Sequence, residues 1–169
     1  MNAVLAAWNR ADEKEAVEAM ISCCGARRWA EAMASLRPME SIATLSEAAD
    51  RVWSTMQESD WLEAFACHPR IGERQAMHAT GQSARWSRQE QAGSAQAAER
   101  VLTELAELNA RYEGRFGFTY IVCATGKTAE EMLGNLRRRV NSDRESELRE
   151  AAEQQRQIMQ IRLGKWLAS

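Results

Sequence analysis

The sequence predicts an all-α protein, a compact bundle of roughly seven to nine helices without a substantial β-sheet. Three observations support this prediction. Apolar residues recur at the three- and four-residue spacing of amphipathic helices along most of the 169-residue chain. Residue pairs at capping-box spacing precede several of these patterns. Only residues 118–124 have the β-branched and aromatic composition of a strand, and one strand alone cannot form a sheet.

Length and composition indicate a single domain over residues 1–169. Hydrophobic residues make up 45% of the chain, charged residues make up 27%, and the formal net charge is -2. This balance argues against a nucleic-acid partner, because nucleic-acid-binding domains usually present a basic face. No apolar stretch approaches the length of a membrane span, and charge interrupts the N-terminal segment too early for a signal peptide. We therefore expect a cytoplasmic protein with no membrane partner.

The four cysteines indicate neither a metal site nor a disulfide framework. No two of them have C-x-x-C spacing, and the chain has only two histidines to complete a zinc site. Cys23 and Cys24 are adjacent, which is a poor basis for a disulfide framework. The pattern is typical of a reducing compartment, and no metal site is predicted.

The first half of the chain contains four helical patterns: residues 11–24, residues 28–36 ahead of Pro38, a stretch that starts with a capping box of Thr44 and Glu47, and residues 60–67. The fourth pattern stops at His68 because Pro69 disfavours the helical conformation for the residue before it. A polar loop with Gly72 and Gly81 follows.

The second half contains three more helical patterns: residues 88–112, a helix capped by Thr128 and Glu131, and a last helix capped by Ser142 and Glu145 that extends to Trp166. Between the first two lies the segment of residues 118–124, which we expect to be extended or irregular core. The run Arg137-Arg138-Arg139 is the only basic cluster. Its helical pattern and the nearby Asp143 predict a solvated, salt-bridged helix face.

His68 has two interpretations that the local sequence leaves open. An imidazole just past a helix C-terminus lies near the negative end of the helix dipole, which favours its protonated form and suits a proton donor. The same position also suits a histidine that merely bonds the last carbonyl groups of the helix. A thiol-based enzyme that uses Cys67 beside His68 is a further possibility, although neighbours in sequence need not face each other.

Two other features have both a structural and a functional interpretation. Arg162 lies within the apolar stripe of the last helix, where a guanidinium needs an anionic or carbonyl partner that either the protein or a ligand could supply. Ser87 and Glu90 stand at capping-box spacing, so they could cap a helix or bind a polar ligand at its N-terminus. Gln91 and Gly93 keep the second interpretation of this pair open.

Four motifs in register resemble the signature of the OHCU decarboxylases, enzymes that act on 2-oxo-4-hydroxy-4-carboxy-5-ureidoimidazoline (OHCU) in urate degradation. They are His68-Pro69-Arg70-Ile71-Gly72, Ser87-x-x-Glu90-Gln91-x-Gly93, Tyr112-x-x-Arg115-Phe116-Gly117-Phe118 and Arg162-Leu163. The resemblance covers nearly the whole chain. It implies an all-helical, cofactor-free carboxy-lyase of purine metabolism that forms a homodimer and converts its ureidoimidazoline substrate to (S)-allantoin.

The resemblance also implies roles for individual residues. His68 matches the catalytic histidine of the family, and Glu90 matches a residue that binds substrate and handles a proton. The remaining positions match substrate-binding residues: Pro69, Ser87, Gln91, Arg162, and the segment Ile121, Val122, Cys123 and Ala124, whose backbone contacts the ligand ring.

Two alternative functions do not require this chemistry. A small helical protein-interaction module would explain the amphipathic helices, and it predicts an exposed apolar groove without an enclosed polar pocket. A helical DNA-binding regulator is the second alternative, and the slightly acidic composition argues against it.

Overall fold

The computed structural model describes residues 2–71 and 99–169. Within these ranges the chain forms eight α-helices and no β-strand, which confirms the predicted all-α fold class. In chain order they are α1 (Ala3–Arg10), α2 (Glu13–Cys23), α3 (Arg27–Ser35), α4 (Ile42–Trp53), α5 (Glu58–Ala66), α6 (Glu99–Phe116), α7 (Ala129–Arg139) and α8 (Arg144–Leu167). None of these helices combines the length and apolar character that crossing a bilayer requires.

Helix α1 was not predicted from the sequence. Its eight residues are fewer than an isolated helix needs to be stable in water. The Asn2 side chain accepts a hydrogen bond from the Leu5 backbone N–H at 3.0 Å and caps the helix. Leu5 and Trp8 are buried, so tertiary packing stabilises a helix that local periodicity did not reveal.

Two predicted helix starts were wrong by a few residues. Helix α4 begins after Ser41, whose hydroxyl accepts from the Thr44 backbone N–H at 3.1 Å, so the N-cap is Ser41 and not Thr44. At the start of α8, Asp143 accepts from the Ser146 N–H at 2.9 Å, and Asp143 takes the place predicted for Ser142. In both cases two capping residue types lie within three positions, and the sequence does not rank them.

One further predicted helix start is confirmed, and one predicted helix end is too early. The capping box of Thr128 and Glu131 is present with both reciprocal hydrogen bonds. Helix α6 extends four residues beyond the predicted end at residue 112, as far as Phe116. The predicted positions 88–98 of that helix and the loop glycines Gly72 and Gly81 lie outside the described residues.

The chain divides into two compact units. The first comprises Met1–Ala64 and Arg156–Ser169, and the second comprises Phe65–Gln155. In the first unit α2 packs on α1 and α3, and α3 packs on α4. Trp8 and Trp166 meet edge to face at 5.9 Å between ring centroids, and the Trp29 indole donates to the Ala49 carbonyl at 3.1 Å.

The second unit contains α6 and α7 packed together and an aromatic cluster beside them. The cluster, which consists of Phe65, Tyr112, Phe116, Phe118 and Tyr120, has ring centroids 4.7–6.1 Å apart. Gly117 ends α6 with a φ of 82°, a left-handed conformation that favours glycine. Residues 118–124 follow as irregular chain, as predicted, and Ile121 to Ala124 are all buried.

Candidate active site

His68 lies two residues after the end of α5, where the sequence placed it. Its backbone N–H donates to the Phe65 carbonyl at 3.1 Å, so the chain makes one last tight turn before Pro69. The His68 side chain is half-buried and Pro69 is buried. The helix end therefore presents an imidazole that is partly enclosed by protein and partly accessible.

A buried glutamine holds the His68 ring. The Nε2 atom of His68 lies 2.7 Å from Oε1 of Gln155, which belongs to the same unit and is completely inaccessible to solvent. Among the described residues, no acceptor lies within hydrogen-bond distance of the Gln155 Nε2 donor. The amide thus contacts the imidazole through its oxygen.

Gln155 was missed in the sequence analysis, although a signal was present. It lies three or four residues from Ala151, Ala152, Ile158 and Met159, which places a polar amide in the apolar stripe of α8. The same argument identified Arg162, seven residues later. A buried amide needs a hydrogen-bond partner, so the stripe itself indicated a polar neighbour at position 155.

Arg70 anchors the chain that follows His68. Its guanidinium makes a two-pronged hydrogen bond to Glu113 of α6, with both nitrogen–oxygen distances at 2.7 Å. The Arg70 hydrogen bond lowers the pKa of Glu113, so this carboxylate stays ionised under most conditions. The His-Pro-Arg sequence is therefore held at both ends, by helix α5 before it and by the Arg70–Glu113 hydrogen bonds after it.

Side chains from α7, from α8 and from the loop that precedes α7 hold the backbone of residues 121–124. The Cys123 N–H donates to Gln154 Oε1 at 2.9 Å, and the Cys123 carbonyl accepts from Lys127 Nζ at 2.7 Å. The Ile121 carbonyl accepts from the Arg139 guanidinium at 2.6 Å. This segment has no sheet partner, so side-chain bonds satisfy backbone groups that would otherwise be buried unsatisfied.

Arg139 departs from the solvated basic face predicted for residues 137–139. Arg137 pairs with Glu104 at the surface, but Arg139 is fully buried and forms an ion pair with the equally buried Glu147. Burial alone would lower the pKa of Arg139, but the hydrogen bond and charge of Glu147 raise it, so the guanidinium stays protonated. The prediction failed because three consecutive helix positions point in different directions.

Tyr112 extends this buried pair. Its hydroxyl donates to Glu147 Oε1 at 2.5 Å, and the Arg139 guanidinium also lies over the Tyr120 ring at 4.8 Å from the centroid. Burial raises the pKa of Tyr112, and the hydrogen bond to Glu147 raises it further. Burial likewise raises the pKa of Tyr120 to about 12. Both phenols are therefore neutral at physiological pH.

Arg162 belongs to the first unit and is 2% exposed. The fully buried Cys23 of α2 lies within its electrostatic range. Burial raises the pKa of the Cys23 thiol to about 12, and the nearby positive charge of Arg162 opposes that rise. At this depth the cost of removing the guanidinium from water must be compensated by hydrogen bonds or an opposite charge.

The second unit brings together part of the predicted set of site residues. It contains His68, Pro69 and the segment Ile121–Ala124, whereas Arg162 is in the other unit. Ser87, Glu90 and Gln91 lie outside the described residues. The described part of the second unit offers an imidazole with a neutral hydrogen-bond partner, which is chemically suited to proton transfer.

Two observations bear on the alternative functions. In the two described ranges, the large apolar side chains that are exposed are Leu36 and Ile42, 43% and 47% accessible. Cys67, the thiol considered beside His68, is half-buried in the turn that precedes the histidine.

The comparisons with known proteins identify relatives. The family model for OHCU decarboxylase matches residues 9–164. "Uric acid degradation bifunctional protein TTL" of Arabidopsis thaliana is 37% identical over 85% of this chain and 44% of its own length. The 2-oxo-4-hydroxy-4-carboxy-5-ureidoimidazoline decarboxylase of Haloferax volcanii is 26% identical over 95% of this chain and 94% of its own. The chain thus spans less than half the length of the bifunctional relative.

A solved structure agrees in fold and sequence. The crystal structure of an OHCU decarboxylase in the presence of (S)-allantoin superimposes with a TM-score of 0.77 at 30% identity. The alignment covers 94% of this chain and all of that one. Since the family model matches most of the sequence and a solved member shares its fold, the chain belongs to the OHCU decarboxylase family.

Proposed function

We propose that this chain catalyses the cofactor-independent decarboxylation of OHCU to (S)-allantoin in urate degradation. The observation that carries the proposal is its similarity, at 30% identity, to the whole of the OHCU decarboxylase whose structure was determined with (S)-allantoin. The His68 imidazole, held at a helix end by Gln155, supports the proposal with a group suited to proton transfer.

The substrate itself can accept the electrons of the bond that breaks. One ring carbon carries both the carboxylate and a hydroxyl group, and the adjacent ring carbon belongs to a C=N bond. When the carboxylate leaves as carbon dioxide, its electron pair forms a C=C bond and the C=N pair moves to nitrogen, which takes a proton. The enol then loses its hydroxyl proton as the former imine carbon gains one, which leaves the ring carbonyl of allantoin. Delivery of this proton to only one face of the ring determines the configuration of the product.

The protein residues would orient the ring and move the protons. In this proposal His68 donates the proton at the reacting carbon, and Glu90 accepts a hydrogen bond from the hydroxyl or ureido group. Arg162 and Gln91 hold the ureido and ring carbonyl groups. A tight grip of Arg162 on the carboxylate would stabilise the ground state and oppose its loss, so we place the guanidinium away from the departing group.

The remaining substrate contacts follow the resemblance. We assign Pro69 and Ser87 to the walls of the pocket, and the backbone of Ile121, Val122, Cys123 and Ala124 to the face of the ligand ring. The burial of these four residues and their anchoring by Gln154, Lys127 and Arg139 support a rigid platform. The single catalytic domain, the homodimer and the cytoplasmic location stay predictions.

A stereochemical assay tests the proposal. The unstable substrate is generated from urate with upstream enzymes, this protein is added, and circular dichroism follows the product. We expect (S)-allantoin to form faster than the racemic background. Lack of any acceleration by the folded wild-type chain would refute the proposed activity.

Replacing His68 with Asn should lower kcat by at least about 100-fold, the lower range of a general acid's contribution. The unfolding midpoint should stay close to that of the wild type, because the side chain is only half-buried. His78→Asn replaces the chain's other histidine and is the matched control, with kcat expected near the wild-type value. Near-normal turnover of His68→Asn would rule out His68 as the acid.

A further inference from the structure

We propose that Gln155 is a positioning residue that fixes the orientation and tautomer of His68 for proton transfer. This inference rests on the proposed function and extends it to a residue outside the four family-like motifs. Gln155 acts through the imidazole and is given no contact with the reacting atoms.

The geometry suits this role. His68 lies on irregular chain just past α5, where a backbone hydrogen bond fixes the main chain but does not set the side-chain torsions that orient the ring. Gln155 lies in the interior of α8 and is completely buried, so its own side chain has little freedom. The 2.7 Å contact therefore ties a ring that could rotate to a fixed partner.

The chemistry of the contact determines which ring nitrogen carries the proton. The Gln155 oxygen accepts, so His68 Nε2 must be the donor. Nε2 carries hydrogen in both the imidazolium and the resulting neutral ring, which means that the hydrogen bond to Gln155 persists throughout the transfer. Nδ1 is then the atom that gives its proton to the reacting carbon, and the N–H bond pair stays on nitrogen as the new C–H bond forms.

If Gln155 had only a structural role, its amide nitrogen should be hydrogen-bonded as well as its amide oxygen. Among residues 2–71 and 99–169, the Gln155 Nε2 donor finds no acceptor, although the atom is buried. An unsatisfied buried donor opposes folding, so an apolar side chain of similar length should be tolerated at this position. Retaining an amide there is better explained by the oxygen's contact with His68.

The test compares two variants of one helix. Gln155→Met removes the acceptor while preserving side-chain length, and Gln160→Met is the matched control. Gln160 also lies in α8 and bonds Ser46 and Asp50, so its loss affects hydrogen bonding without touching His68. We expect Gln155→Met to lower kcat about 10- to 100-fold, the range that misplacement of a reacting group produces. KM and the unfolding midpoint should change no more than in Gln160→Met.

Gln155→Glu provides the conservative rescue. A carboxylate oxygen restores the acceptor, so kcat should recover part of the loss seen in Gln155→Met. The added negative charge stabilises imidazolium, and the alkaline limb of the kcat–pH profile should move upward. If Gln155 had only a structural role, restoring the acceptor in this way would not restore kcat.

Nitrogen-15 NMR of the imidazole supplies a readout independent of turnover. In a His78→Asn background His68 is the only histidine, and its neutral form should show hydrogen on Nε2. Gln155→Met should shift the signal toward the mixture of tautomers found in free histidine.

Wild-type kcat in Gln155→Met, an equal loss in Gln160→Met, or an unchanged tautomer signal would overturn the role of Gln155. An inactive wild-type chain would instead refute the proposed function, and the NMR experiment would still test the hydrogen bond.

Discussion

At the scale of one residue, the buried guanidinium of Arg162 is the feature most open to a functional test. Only 2% of the residue is exposed, and removing a guanidinium from water is costly unless hydrogen bonds and charge compensate it. Arginine also presents a planar fork of donors, which lysine does not. The proposed function uses this fork to hold planar carbonyl groups of the substrate.

Arg162→Lys should therefore weaken substrate binding more than it slows the chemical step. The positive charge is retained, but the paired donors of the fork are lost, so we expect KM to rise about tenfold and kcat to fall less. Steady-state kinetics on freshly generated substrate measures both quantities.

Arg156→Lys is the matched control for this prediction. Arg156 also lies in α8 and pairs with Asp50 at 3.1 Å, and its side chain is one-third exposed. Surface pairs of this kind contribute little, so both kinetic constants should stay near the wild-type values. If KM of Arg162→Lys were equally unchanged, Arg162 would have a structural role only.

At the scale of the helix, the N-cap of α4 is Ser41 and not Thr44, the residue that the sequence pattern predicted. Ser41 adopts the extended conformation of an N-cap, with φ of -150° and ψ of 165°, and its hydroxyl accepts from the Thr44 N–H. Thr44 lies inside the helix instead. There a threonine has a lower helix propensity than alanine, because its β-branched side chain loses freedom.

The two alanine substitutions should therefore change stability by different amounts. Ser41→Ala removes the cap and should lower the free energy of unfolding by about 1 kcal/mol. Thr44→Ala loses only the hydroxyl contact with Ser41, at 2.9 Å and exposed to solvent, and should be close to neutral. Urea denaturation of both variants measures the difference. A larger loss for Thr44→Ala would restore Thr44 as the cap that the sequence pattern suggested.

At the scale of the whole molecule, ionisation of the two tyrosines should lower stability at alkaline pH. The chain has two tyrosines, and both are buried. Burial raises the pKa of Tyr120 to about 12, and the pKa of Tyr112 is raised by burial and by Glu147. In the unfolded chain both phenols ionise near pH 10, their ordinary value.

The sign of the pH dependence follows from this difference. Below about pH 10 both states keep the phenol protons, so the tyrosines add no pH dependence to stability there. Between about pH 10 and the folded pKa values the unfolded chain binds fewer protons, so stability falls as pH rises, by about 1.4 kcal/mol per pH unit for each tyrosine. Urea denaturation at a series of alkaline pH values measures the slope.

Tyr120→Phe provides the internal comparison, since it keeps the ring and removes one titrating group. The slope should fall by about 1.4 kcal/mol per pH unit, the share of one phenol, while the Cys23 thiol, whose pKa burial also raises, contributes to both proteins. The prediction fails if tyrosinate absorbance develops near pH 10 while the far-ultraviolet circular dichroism still reports a folded chain.

Periodicity and turn signals predicted most of the fold, because local side-chain spacing carries that information. The helix before His68, the capping box at Thr128 and the irregular buried segment of residues 118–124 were each confirmed. Helix α1 was not predicted, and Arg139 was wrongly placed in solvent. Both errors concern features that depend on residues distant in sequence, which a local pattern does not include.

The sequence by itself determined the helical fold class, the family and the His-Pro turn at the end of α5. The tertiary structure alone decided which polar residues pair in the interior: Gln155 with His68, and Arg139 with Glu147 and the Ile121 carbonyl. The physical reason is that a buried polar group must find its partner in three dimensions. Spacing along a helix shows only that a polar residue faces inward, and the fold determines which residue it meets.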